Sequence, residues 1–280
     1  MTSETPGVSD ADPFARLKAM TRARVALGRT GAGLPTEAML AFQRDHALAR
    51  DAVHAVFLPD KIAEQLPGWA TTTVRSRAPD RGTYLRRPDL GRRLDERDAA
   101  RFASPSAVSP DCDLAIVVAD GLSAAAAHAH AAPVINLLSA RLAGWRVAPL
   151  VLASMARVAL GDEIGARLGA RMVLVLIGER PGLSAPDSLG GYLTWDPAVG
   201  RLDSQRNCVS NIRPPLGLGY DAAADSLAWL AIAARDRGLT GVALRNDGLS
   251  ARPLSIGAGR ESSSPDSSGR LLSADGNDAV

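Results

Sequence analysis

Thiol and imidazole side chains are few in this sequence. There are two cysteines, Cys112 and Cys208, and four histidines. Neither cysteine sits in a CxxC or in a Cys/His spacing that suits zinc. His128 and His130 fall in a helix-forming stretch at a separation that points them about 200° apart, so they cannot share a metal there. His46 and His54 are roughly cofacial, but no carboxylate lies at a suitable interval to join them. Ser123 follows Asp120-Gly121 where a strand turns into a helix, and an N-cap role suffices to explain it. GLGYDA (217–222) fits G-x-G-x-x-A and opens a helix, where backbone N–H groups could hold a phosphate. Pro214 and Pro215 stand where that motif needs a clean strand, so a proline-punctuated helix start is the better explanation. Walker A and GxSxG sequences are absent, which argues against a P-loop NTPase or an α/β-hydrolase. GERPGL (178–183) says more. Its Glu179 directly follows a long apolar run, which predicts a carboxylate at the carboxyl edge of a sheet. Capping of a loop is the structural role open to the same residue.

The elements that must position these residues change character along the chain. Residues 1–12 read as a disordered start. PFARLKAMTRARVALGR (13–29) has apolar and basic residues at helical intervals, and GRTGAGLPT (28–36) interrupts it. A longer helix is predicted over 36–57, with Met39, Leu40, Phe42, Ala47, Val53 and Val56 roughly on one side. From Leu58 to Pro110 the chain is rich in Arg, Asp and Pro, and reads as irregular with short helices, one near Leu90–Ala103. Residues 13–110 therefore form a helical or irregular N-terminal region.

At Asp113 the pattern becomes α/β. LAIVVAD (114–120), RVAPLVLA (146–153) and RMVLVLIGE (171–179) are apolar strands alternating with helices to Leu142 and around Gly161–Gly169. SLGGYLTWD (188–196) and CVSNI (208–212) add strands, and a helix at Asp221–Arg237 precedes TGVALRN (240–246). Continuous apolar strands separated by helices predict a doubly wound, mostly parallel sheet with helices on both faces, spanning 111–248. The segment 249–280 reads as a Ser/Gly/Asp-rich, low-complexity tail.

Composition narrows the function classes. The net charge is +2, and only Lys18 and Lys61 are lysines among 32 basic residues. That balance demands neither nucleic acid nor an anionic membrane. Aromatic residues make up 4% of the chain, too few for an obvious base-stacking surface. No basic-then-apolar leader and no run of about 18 uncharged apolar residues is visible, so a cytoplasmic, reducing setting is expected.

Several ordered blocks together resemble the small subunit of ethanolamine ammonia-lyase. They are LPTEAMLAFQRDHALARDAVHA (34–55), PDLGRRLDERDA (88–99), VVADGLSA (117–124), the long block ARVALGDEIGARLGARMVLVLIGERPGLSAPDSLGGYLTWDP (156–197) and CVSNIRPP (208–215). The likeness spans about 13–246, and GERPGL followed by CxSNI is its most specific signal. It implies a radical enzyme that uses adenosylcobalamin, bound base-on, to deaminate ethanolamine and related vicinal amino-alcohols to an aldehyde and ammonia. The resemblance further implies a large-subunit partner that holds substrate and carries the reacting groups. Residues 13–110 would pack on that partner, in a hetero-oligomer of heterodimer pairs that trimerise.

Three family positions that contact the cobalamin match residues here. They are Val158 in the R-V-x-x-x-D segment, Glu179 of GERPG, and Cys208 opening CxSNI. The residue types make sense, because a carboxylate accepts from the carboxamide rim of a corrin and the other two offer close apolar or backbone contact. The D-x-H-x-x-G sequence of histidine-ligated cobalamin proteins is absent. Gly190-Gly191 before Tyr192 departs from the family's usual small residue or cysteine, and the 196–207 loop is slightly short. The first dozen residues show no clear amphipathic helix, so entry into a bacterial microcompartment stays open. The rival readings are a free-standing nucleotide-binding α/β module using GLGYDA, and an Arg-rich scaffold that touches no cofactor.

Overall fold

The computed structural model describes residues 14–21, 23–102 and 112–244. The expected disordered start (1–12) and low-complexity tail (249–280) lie outside them. Helices α1 (Ala15–Met20), α2 (Thr36–His54) and α3 (Pro59–Glu64) come first. The helix expected over 13–29 is thus short: Thr21, next after α1, is extended, and Ala26 and Gly28 take positive φ.

Strand β1 (Thr71–Arg75) then forms inside the stretch that reads as irregular. It is followed by α4 (Arg81–Arg86), a short 3-10 turn (Leu90–Arg92) and α5 (Glu96–Arg101). The α/β part runs β2 (Leu114–Ala119), α6 (Ala124–Arg141), β3 (Leu150–Ser154), α7 (Val158–Arg167) and β4 (Met172–Gly178). It closes with β5 (Leu189–Trp195), β6 (Arg206–Ile212) and α8 (Tyr220–Arg237).

The six strands form one sheet in the order β1-β3-β2-β4-β5-β6. β1, β3, β2 and β4 are parallel, whereas β5 is antiparallel to both its neighbours. The sheet is therefore mixed. The cause is visible in the connection: ten residues separate β4 from β5 with no helix among them, too few for a crossover to a parallel strand. β6 in turn runs the same way as β4, so its carboxyl end lies at the same rim.

β2 and β4 are buried along their whole length, and their side chains alternate between two cores. Leu114, Ile116, Val118, Met172, Leu174 and Leu176 pack under α6 and α8. Ala115, Val117, Val173, Val175 and Ile177 pack under α7. Chain order runs from β2 to β3 on one side, then back across to β4 on the other. That reversal places a switch point between β2 and β4. α7 approaches β4 closely: a Cβ added at Gly161 would lie 2.2 Å from the Val175 side chain. On the α6 face, α8 extends cover over β5 and β6. Among the described residues the α7 face has no such second helix, and Cys208 and Ser210 stand exposed on β6.

Candidate functional site

The rim above the switch point is built from backbone that only small residues permit. Gly121, at φ +53°, follows β2, and a Cβ there would come within 2.2 Å of the Gly178 carbonyl. Leu122 N–H donates to that same carbonyl (2.9 Å), which binds the β2 and β4 exits together. Ser123 caps α6 by accepting from Ala126 N–H (3.3 Å) and donates to the Pro186 carbonyl (2.9 Å). The N-cap role is thus the one observed.

Asp120 fixes the opposite wall. Its carboxylate accepts from Ala156 N–H (3.0 Å) and from Arg81 (3.1 Å), so the segment leading into α7 is tied to the end of β2. Burial pushes the Asp120 pKa up, and the Ala156 and Arg81 donors oppose that shift. Tyr84 is fully buried behind this wall and donates to the Ala156 carbonyl (2.9 Å). The guanidinium of Arg81 lies 4.8 Å above its ring and that of Arg157 4.4 Å from it.

Glu179 sits at the carboxyl end of β4, as expected. Its carboxylate accepts from Ser188 Oγ (2.6 Å), from Ser210 Oγ, and from Asn211 N–H (3.2 Å). Asn211 holds φ at +60°, a conformation asparagine tolerates better than most residues. A carboxylate offers about four acceptor sites. Three protein donors orient Glu179 and leave about one acceptor site unused. The loop-capping role and a ligand-acceptor role are therefore compatible.

Val158 is the first residue of α7, and with Glu179 it lines a cavity of about 420 Å³. Gly121, Arg157, Tyr192 and Ser210 also line it. Cys208 pairs across the strands with Tyr192. Although the Cys208 residue is exposed, surrounding protein crowds its sulfur and pushes the thiol pKa up. Burial also raises the Tyr192 pKa, and the neighbouring Cys208 adds to the shift. Of the three positions expected from sequence, Val158 and Glu179 thus line one cavity, and Cys208 lies outside its lining, across the strands from Tyr192. Arg157, Tyr192 and Ser210 join them without having been foreseen. For Tyr192 the signal is the register that sets it opposite Cys208, and it appears only once β5 is known to be antiparallel.

The histidines have other duties. His128 Nε2 accepts from Leu58 N–H (2.9 Å) and its ring stacks on Phe57. His130 Nδ1 lies 2.9 Å from the Tyr220 hydroxyl. His46 stacks on Phe42. Among the described residues no three His, Cys, Asp or Glu side chains are grouped to hold a metal ion. In GLGYDA, Gly219 is the N-cap of α8 and Leu218 bridges to Ile212. A Cβ at Gly217 would meet the Asn211 carbonyl at 2.4 Å, so this glycine serves the return of the chain onto β6.

A doubly wound sheet with an open, side-chain-lined shelf at its switch point has the form in which α/β proteins hold ligands. Comparison with known proteins then narrows the class. Residues 11–245 match the family model of the ethanolamine ammonia-lyase light chain (EutC). The chain is 55% identical over 250 residues to the ethanolamine ammonia-lyase small subunit of Bradyrhizobium diazoefficiens, covering 88% of this chain and 95% of that one. It is 52% identical over 247 residues to the protein of the same name from Ralstonia nicotianae, covering 86% and 91%. That of Rhodopseudomonas palustris is 53% identical over 253 residues, covering 89% and 95%. The chain belongs to the ethanolamine ammonia-lyase light-chain family and is thereby a subunit of a lyase. No helix among the described residues is long and apolar enough to cross a membrane.

Proposed function

We propose that this chain is the cofactor-holding half of an adenosylcobalamin-dependent ammonia-lyase that deaminates ethanolamine. Val158, Glu179 and Cys208 contact the cobalamin, and a large subunit holds the substrate. The observation that supports this reading is that Val158 and Glu179, from two separate elements, line one cavity, with Cys208 paired across the strands to Tyr192 in its wall.

The donor set fits the group. A corrin is broad, apolar in its middle and fringed by carboxamides. The shelf offers apolar side chains at Leu122, Val158 and Ile177, one pre-oriented carboxylate at Glu179, and the Ser210 hydroxyl and Cys208 thiol along β6. Glu179 accepts a carboxamide N–H, a charge-assisted bond that adds affinity and fixes orientation. Val158 excludes water at the α7 end, and Cys208 with Tyr192 forms the floor. When bound, the cofactor supplies radical chemistry by homolysis of its cobalt–carbon bond. This chain places no acid, base or nucleophile of its own on the substrate; its work is to bind and orient.

The N-terminal part packs on the large subunit. α2 leaves Met39, Leu40, Phe42 and Leu48 exposed, and α1 does the same with Leu17 and Met20. Apolar residues concentrated on two consecutive helices mark a surface for a protein partner.

Reconstitution tests the reading. The chain by itself should release no ammonia from ethanolamine, and should do so with the large subunit and adenosylcobalamin. In the assembled enzyme, Glu179→Ala should weaken cobalamin binding by roughly ten- to a hundredfold, with little change in the KM for ethanolamine. Because Glu179 also anchors the chain at Ser188 and Ser210, Val158→Trp provides a second probe that leaves that network intact. Unchanged cobalamin affinity in both variants would reject the proposed contacts.

A further inference from the structure

A second cavity, of about 250 Å³, adjoins the shelf and is lined by Pro88, Arg92, Arg157, Val158, Arg201 and Arg206, among others. Arg157 and Val158 line both cavities, so the two share a wall at the start of α7. The charges around the second cavity are unevenly matched. Arg206 is held by Asp162 (2.6 Å) and Asp203 (3.3 Å), and Arg201 by Asp196 (2.5 Å). Arg92 and Arg157 have no carboxylate partner among the described residues.

Arg157 is also held in place. Its guanidinium stacks on Tyr84, whose hydroxyl is itself fixed to the Ala156 carbonyl. Its Nε is buried and has no hydrogen-bond partner. Its Nη2 donates to the Tyr84 carbonyl (3.5 Å), and Nη1 makes no hydrogen bond among the described residues, so the stacked guanidinium is a pre-organised receptor for a planar or tetrahedral oxyanion. The first turn of α7 has no side-chain cap, and it adds its positive dipole end at the same place.

We propose that Arg157, assisted by Arg92, binds the phosphodiester of the cofactor's nucleotide tail, which places that tail over the α7 end of the shelf. The inference rests on the cobalamin reading above. It follows from chemical complementarity: the corrin rim carries uncharged carboxamides, and the phosphodiester is the one oxyanion of the cofactor. No covalent step is involved.

The test compares adenosylcobalamin with adenosylcobinamide, which lacks the phosphate, ribose and base of the tail. Equilibrium binding to the assembled two-subunit enzyme is followed by the cobalamin absorbance of the bound fraction. Arg157→Gln should weaken adenosylcobalamin binding by about tenfold and flatten its dependence on salt, as expected for a lost charge-assisted contact. Affinity for adenosylcobinamide should be unchanged. Arg92→Ala, which leaves the stack on Tyr84 intact, should give a smaller loss with the same selectivity. Equal losses for both ligands, or no loss for either, would overturn the phosphate assignment. The cobalamin reading fails separately, if Glu179→Ala and Val158→Trp leave the affinity of both ligands untouched.

Discussion

Two helices of nearly equal length behave in opposite ways. α6 has 18 residues and buries nine of them, from Ala124 to Leu138, between the sheet and α8. α2 has 19 residues and buries one, Ala52. The apolar stripe of α2 is real in sequence, yet Leu40 is 58% exposed and Phe42 45%. α6 is also the less amphipathic of the two, as befits a helix covered on most sides. The difference teaches where each helix draws its stability. α6 is held by its own domain, whereas α2 presents an apolar face that this chain does not cover.

Breaking the self-contained part should cost the most. Arg206 and Asp162 form a buried pair that ties β6 to α7, with Thr194 as a further acceptor at 3.2 Å. Arg206→Ala leaves the Asp162 charge buried and should destabilise the isolated chain by about 3–5 kcal/mol in urea unfolding. A loss under about 1 kcal/mol would mean that water reaches Asp162. Within α6, Leu138→Ala removes a fully buried side chain and should cost about 2–5 kcal/mol. If it cost no more than a substitution on α2, the contrast between the two helices would collapse.

A smaller effect carries a pH signature. Glu163 is buried on α7, which raises its pKa. Arg93 (2.9 Å), the Leu94 N–H (3.1 Å) and Arg167 (2.9 Å) outweigh that and hold it below the usual carboxylate range. A depressed folded-state value means that its contribution is complete above the unfolded value of about 4.3. It is lost as pH falls through the folded value. Glu163→Gln should therefore lower stability by about 1–3 kcal/mol at neutral pH and flatten the acid side of the stability curve. An unchanged slope between wild type and variant would show that Glu163 does not supply it.

The smallest effect on the chain itself belongs to α2. Leu40→Ser should change the stability of the isolated small subunit by no more than about 0.5 kcal/mol. The same substitution should weaken its association with the large subunit, read by analytical ultracentrifugation of the mixed subunits. Tight assembly of this variant would place the partner elsewhere.

Much of this architecture was legible because burial writes itself into apolar runs. β2, β4, α6 and α8 stand where their patterns place them, to within a residue or two. β1 escaped because TTTVR is a polar edge strand with one buried residue, Val74, and gives no apolar run. The antiparallel turn at β5 lay hidden in a loop length, a weaker signal than composition. At the site, the place of Glu179 follows from the strand it ends, whereas Val158 and Cys208 came from family resemblance. Arg157 and Tyr192 belong to the shelf through register and stacking, which no single stretch of sequence encodes.

The most direct measurement is a density map of the assembled two-subunit enzyme loaded with adenosylcobalamin. The account predicts the corrin edge against Val158 and Cys208, with a rim carboxamide within hydrogen-bonding distance of Glu179. A macrocycle enclosed wholly by the large subunit, away from the carboxyl end of β4, would contradict it.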